Sequence, residues 1–120
     1  MSSERERIQN RRLRLSEELR ALSFEPLMRG SLGERVRRCG RSNCACARDE
    51  SARHRGKYLT VSLKSRTEAV HVRPEDEPHL QKALAAYEKL WAIVNELTSC
   101  ELADLRRQAR ERQRARKRRA

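Results

Sequence analysis

The chain has 120 residues, 37% of them apolar and 3% aromatic, so it can bury one small core and not several. Its net charge is +12, which turns attention to polyanionic partners. No apolar run approaches the roughly 20 residues of a membrane span. The opening MSSERERIQNRR lacks the hydrophobic segment of a secretory leader, and Glu4, Glu6, Glu17 and Glu18 argue against a transit peptide. The expected location is therefore the cytoplasm, where thiols stay reduced and clustered cysteines point to metal or redox chemistry rather than disulfides.

Ser2 or Ser3 suits a helix N-cap, and Glu4 and Glu6 suit the positive end of the helix that follows, to about Leu22. Ile8, Leu15, Leu19 and Leu22 fall on one face, an apolar stripe too thin to hold the helix without a partner. Pro26, Gly30 and Gly33 break the pattern, and Leu32–Val36 alternates weakly as a strand. Lys57–Lys64 alternates cleanly, with Leu59, Val61 and Leu63 on one side. Ser65-Arg66 is the expected turn into a second strand, Thr67–Arg73, where Val70 and Val72 oppose His71.

Pro74 ends the hairpin, and Glu75, Asp76, Glu77 and Pro78 open a long helix to about Leu105. Leu80, Leu84, Tyr87, Trp91 and Val94 form its apolar stripe, widened by Leu90 and Leu97, and place Trp91 and Tyr87 in the core. That seam suits the N-terminal helix or a second protomer. The remaining RRQARERQRARKRRA has no apolar face, should fray alone in water, and could become helical beside phosphates. The expected class is α+β, with four segments: an amphipathic helix (1–23), a cysteine-cluster and hairpin domain (27–74), the long helix (75–105) and a basic tail (106–120).

Cys39, Cys44 and Cys46 fall within eight residues, in a loop that Gly40 and Asn43 keep pliable. Zinc requires four N or S ligands converging at about 2.0–2.3 Å, and three thiolates in one loop supply most of such a set. The nearby Arg37, Arg38 and Arg41 would favour the thiolate form. His54 is the natural fourth ligand, with His71, Cys100, Asp49 or a residue of a second protomer as competitors. An iron–sulfur cluster would need a fourth thiolate from distant Cys100. No supported nucleophile–base pair, phosphate-binding glycine loop or paired carboxylates point to catalysis, and no small-molecule substrate suggests itself.

The motifs Gly30-Ser31-Leu32, Glu34-Arg35 and Arg38-Cys39-Gly40-Arg41-Ser42-Asn43-Cys44-Ala45-Cys46, followed by His54, a hairpin and a long helix, resemble an uncharacterised prokaryotic family of small basic proteins, DUF6788. Here Arg41 stands where the family pattern has lysine, and His54-Arg55-Gly56-Lys57-Tyr58 where it has H-G-P-Y. The resemblance implies the same layout and an association with mobile genetic elements, and it implies no activity.

Charge completes the reading. The tail holds nine basic residues, Arg106, Arg107, Arg110, Arg112, Arg114, Arg116, Lys117, Arg118 and Arg119, against Glu111, a net of +8 that leaves +4 for 1–105. Such a tail seeks nucleic acid before other polyanions. The expected function is a nucleic-acid-binding accessory protein, DNA or RNA, in which one zinc per chain pins the loop and presents Arg35, Arg37, Arg38, Arg41, Arg53 and Arg55 on one side. The alternative is an interaction module whose long helix dimerises or docks a partner, with the tail secondary.

Overall fold

The computed structural model describes residues 3–119. It is an α+β protein with helix α1 (Glu4–Leu22), strands β1 (Ser31–Arg37), β2 (His54–Leu63) and β3 (Arg66–Val72), and helix α2 (Glu77–Arg119). The chain forms two compact units, one holding the N-terminal segment through Pro26 and the chain from Ala86 onward, the other Leu27–Ala85. Among the described residues no helix is long and apolar enough to cross a membrane.

In the first unit, Ser3 caps α1 by accepting a hydrogen bond from the Glu6 N–H, 3.2 Å. The other expected cap, Ser2, lies outside the described residues. Leu15 and Leu22 of α1 pack with Ala86, Ile93 and Cys100 of α2, and Leu19, Leu90 and Leu97 close around them. The helices run antiparallel: the Arg12 Nε donates to Glu101 at 2.6 Å, and Arg110 pairs with Glu4.

The face of α2 that packs on α1 shares only Leu90 and Leu97 with the expected stripe. Trp91 is 59% exposed and Tyr87 half-buried, while the covered stripe is Ala86, Leu90, Ile93, Leu97 and Cys100. Both stripes have helical periodicity, but the covered one carries small residues that admit α1 closely, where an indole would hold it off. The helix also continues well past Leu105, reaching 43 residues, or about 65 Å. Its final segment contains no Gly or Pro and is built of strong helix formers. Arg107 is clamped by Asp104 and Glu111, and the basic last turn complements the helix dipole.

In the second unit the strands form one antiparallel sheet in the order β1-β2-β3. The hairpin turn is Lys64-Ser65, one residue earlier than expected, with Leu63 opposite Arg66. Both turn residues have positive φ, 48° and 66°, as a two-residue type I′ turn requires even without Asn-Gly. On one face Leu59 and Val72 are buried, while Leu63 and Val70 remain exposed. Gly30 stands where the chain enters β1. A Cβ there would lie 2.8 Å from the Thr60 carbonyl oxygen and 2.9 Å from the Val61 side chain, so only glycine fits without a shift. Lys57 of β2 is ion-paired to Glu77 at the start of α2.

Candidate metal centre

The loop between β1 and β2 is closed at its base by the Arg37–His54 strand pair. It leaves the sheet at Arg38, turns at Gly40 in the left-handed region (φ 84°), and makes two single 3-10 turns, Ala45–Ala47 and Glu50–Ala52. The Asp49 carboxylate accepts from the Ser51 N–H at the head of the second turn. Cys44 stands at the N-cap position of the first turn and Cys46 lies within it, so the two thiols are carried on one short segment.

The ligand atoms of Cys39, Cys44, Cys46 and His54 all lie within 4.8 Å of one another and could hold a metal ion. Cys39 Sγ is 3.5 Å from Cys46 Sγ, and Cys44 Sγ is 3.4 Å from His54 Nε2. Tetrahedral bonds of about 2.3 Å to sulfur set ligand atoms about 3.8 Å apart, so these spacings suit a shared ion. All four thiols of the chain are free, and 3.5 Å is far beyond a disulfide bond of about 2.05 Å. Cys46 is 1% exposed, Cys44 half-buried, and Cys39 and His54 exposed. The site thus has a closed floor and opens into a pocket where Arg41 and Asn43 join Cys39, Cys44 and His54.

The Cys46 backbone N–H, followed by the thiols of Cys46 and Cys39, holds the Cys44 thiol below its ordinary range. Cys46 is pushed the other way: the Cys39 N–H on its sulfur pulls it down, but burial and the adjoining Cys44 and Cys39 sulfurs outweigh that bond. Contacts within the loop, rather than the surrounding arginines, thus shift the two thiols in opposite directions.

The competing ligands lie elsewhere. His71 sits edge-on to the Tyr58 ring at 5.3 Å, Cys100 is buried in the helix pair, and Asp49 is occupied with Ser51.

The six arginines expected on one side are divided. Arg35 and Arg37 share the sheet face that carries His54, Tyr58, Thr60 and His71, by the register of β1 on β2 and β2 on β3. Arg35 donates to Thr60 Oγ1 and Arg37 to the Tyr58 hydroxyl, both at 3.2 Å, and both guanidiniums approach the Tyr58 ring, at 5.9 and 5.3 Å. Arg38 is exposed beside Cys39, and Arg41 lines the pocket over the cysteine cluster. Arg55 projects to the opposite face because strand side chains alternate. Arg53 turns inward: its Nε is buried without a partner, and its other end reaches Glu50 at 3.7 Å. Tyr58 and His71 complete the arginine-bearing face. Period-two alternation from His54 carries Tyr58 onto this face, while the apolar residues 59, 61 and 63 mark the opposite one.

In the tail, Arg107 and Arg110 are ion-paired. Among the described residues Arg106, Arg112, Arg114, Arg116, Lys117, Arg118 and Arg119 make no ion pair. They are spread around the helix and exposed.

Fold and site together define a small α+β protein whose three-cysteine, one-histidine cluster is suited to a metal ion. The chain belongs to the family described as Domain of unknown function (DUF6788), whose profile matches residues 5–82. That match spans α1, the cysteine loop and the whole sheet but ends in the second turn of α2, so the basic tail lies beyond it. Comparison with curated proteins and with solved structures gives no match.

Proposed function

We propose that the chain is a non-catalytic nucleic-acid-binding module in which one zinc ion, held by Cys39, Cys44, Cys46 and His54, fixes the loop beside an arginine-bearing sheet face. The observation that carries the binding half is the set of unpaired cations on one continuous helix from Arg106 to Arg119, in a segment of net charge +8. A solvated surface normally intersperses signs. Here Glu111 is the sole acid, and it is already taken by Arg107. A backbone of phosphates is the partner that compensates so dense a line of charge.

The choice of zinc follows from the donors. Three sulfurs and one imidazole make a borderline-soft, four-coordinate set with no oxygen ligand, the composition of structural zinc sites. The buried Cys46 leaves no position for a reacting substrate on that side, which fits a closed structural ion better than a catalytic one.

Binding is expected to be strongly salt-dependent and weakly sequence-dependent, each neutralised phosphate adding about 0.9 to the log–log slope on duplex DNA. A salt-titrated gel shift of the full chain and of a chain lacking 106–120 tests this. Deletion should flatten the slope by about 6, from the seven unpaired tail cations. An unchanged slope would remove the tail from the interface. Native mass spectrometry should find one zinc per chain, lost on Cys44→Ser.

A further inference from the structure

Helix α2 carries two apolar stripes, and α1 covers one. Roughly 100° around the helix axis from the covered stripe, Trp91, Val94, Leu102 and Leu105 line up with Thr98, and the four apolar residues are 59, 39, 44 and 58% exposed. With half-buried Tyr87 they form a strip about 27 Å long. An indole and three branched aliphatic side chains in one exposed row mark an association surface rather than scattered surface residues.

We propose that this strip is the interface of an antiparallel homodimer, with the same strip of a second copy as its occupant. The reading stands independently of nucleic-acid binding. Its first support is self-complementarity about Thr98. Trp91 and Leu105 are equally distant from Thr98, as are Val94 and Leu102. An antiparallel copy centred there therefore lays Trp91 on the second copy's Leu105, Val94 on its Leu102, and Thr98 on its own counterpart, with no charge in the seam.

The second support is charge, and it decides orientation. Glu88 and Arg106 are separated by a whole number of helical turns, so they lie on the same edge of the strip, both exposed. In the antiparallel pair the Glu88 of each copy comes within reach of the other's Arg106, and the contact occurs twice. A parallel pair would put the two Glu88 on opposite edges of the seam, away from either Arg106, and two segments of net charge +8 side by side. Antiparallel packing sends those segments to opposite ends.

Sedimentation equilibrium of the full chain without nucleic acid tests the proposal, with Trp91 emission as a second readout. The wild type should be dimeric, its emission shifting to the blue as concentration rises. Trp91→Glu and Leu105→Lys, both at exposed sites, should give folded monomers of unchanged helicity by circular dichroism. Leu13→Glu, at an exposed α1 residue, should leave the dimer intact. Glu88→Arg should weaken it roughly tenfold, and adding Arg106→Glu should restore it, because only the antiparallel pairing joins those residues. A wild type that stays monomeric, or a Trp91→Glu chain that dimerises as well as wild type, overturns the interface. A charge swap that fails to restore dimerisation overturns the orientation.

Discussion

Chelation of the metal should release the loop 38–53 while leaving the helix pair folded. In that loop Cys46 is the buried residue, all the others being at least partly exposed. Ordering its backbone costs about 1 kcal/mol per residue at the low end, roughly 16 kcal/mol for the segment. Its local hydrogen bonds, at about 0.5–1 kcal/mol each, return only about 5 kcal/mol. The shortfall of roughly 10 kcal/mol is of the size a structural zinc supplies in small domains, about 10–16 kcal/mol. Hydrogen–deuterium exchange read by mass spectrometry, with and without a strong chelator, measures the consequence. Peptides across 38–53 should lose protection on chelation, and those from α1 and the matching part of α2, where Leu15, Ile93 and Cys100 are almost fully buried, should keep it. A loop that stays protected without metal would refute the argument, because some uncounted packing would then be holding it.

Three further outcomes follow from the same geometry. Gly30→Ala should destabilise the sheet unit by about 1–3 kcal/mol in thermal melts, since the new methyl meets the Thr60 carbonyl oxygen. Leu15→Ala, at a residue 1% exposed, should cost about 2–5 kcal/mol by denaturant unfolding, whereas Leu13→Ala, at one 60% exposed, should change stability by less than about 0.5 kcal/mol. The helix pair should also lose stability in acid. Hydrogen bonds from Arg107 hold the Asp104 carboxyl below the usual range, and Arg110 does the same for Glu4. Carboxyls depressed by folding stabilise fully above their unfolded pKa, and that stability is lost as pH falls through the folded values. Helicity melts repeated from neutral to acid pH should show the decline, and Asp104→Asn should shrink it.

Elements whose local signals agreed were legible in the sequence. The Ser3 cap and acidic first turn start α1, Pro74 and the acids after it announce α2, and the alternation of 57–63 places β2. The cysteine loop was legible because thiolate spacing is local, and the single nearby histidine proved to be the residue the strand pairing returns to the site. What escaped depended on tertiary choice. Two stripes on α2 both satisfy helical periodicity, and only the shape of α1 selects the one with Ala86 and Cys100 over the one with Trp91. The Lys64-Ser65 turn escaped because neither residue advertises positive φ; the strand register imposes it. Arg53 and Arg55 were assigned by proximity in sequence, but the first turns inward at the end of a 3-10 turn and the second obeys strand alternation.

The position of the cluster bears on how binding could be regulated. His54 is at once a member of the candidate metal cluster, the first residue of β2 and the partner of Arg37 across the sheet. Cys39 follows Arg37 by two residues, so an ion held by the cluster would be tied to both strands at the end where Arg35 and Arg37 stand over Tyr58. Losing the metal would therefore free the strand ends that aim those guanidiniums, as well as the loop. The tail has no such dependence, because its helix is held by Asp104, Glu111 and Glu4 through Arg107 and Arg110. Polyanion binding should thus divide into a metal-dependent part on the sheet and a metal-independent part on the helix. Adding chelator to a chain lacking 106–120 should abolish the residual affinity, and adding it to the full chain should only reduce it. Equal losses in both would place the arginine face and the tail in one inseparable interface.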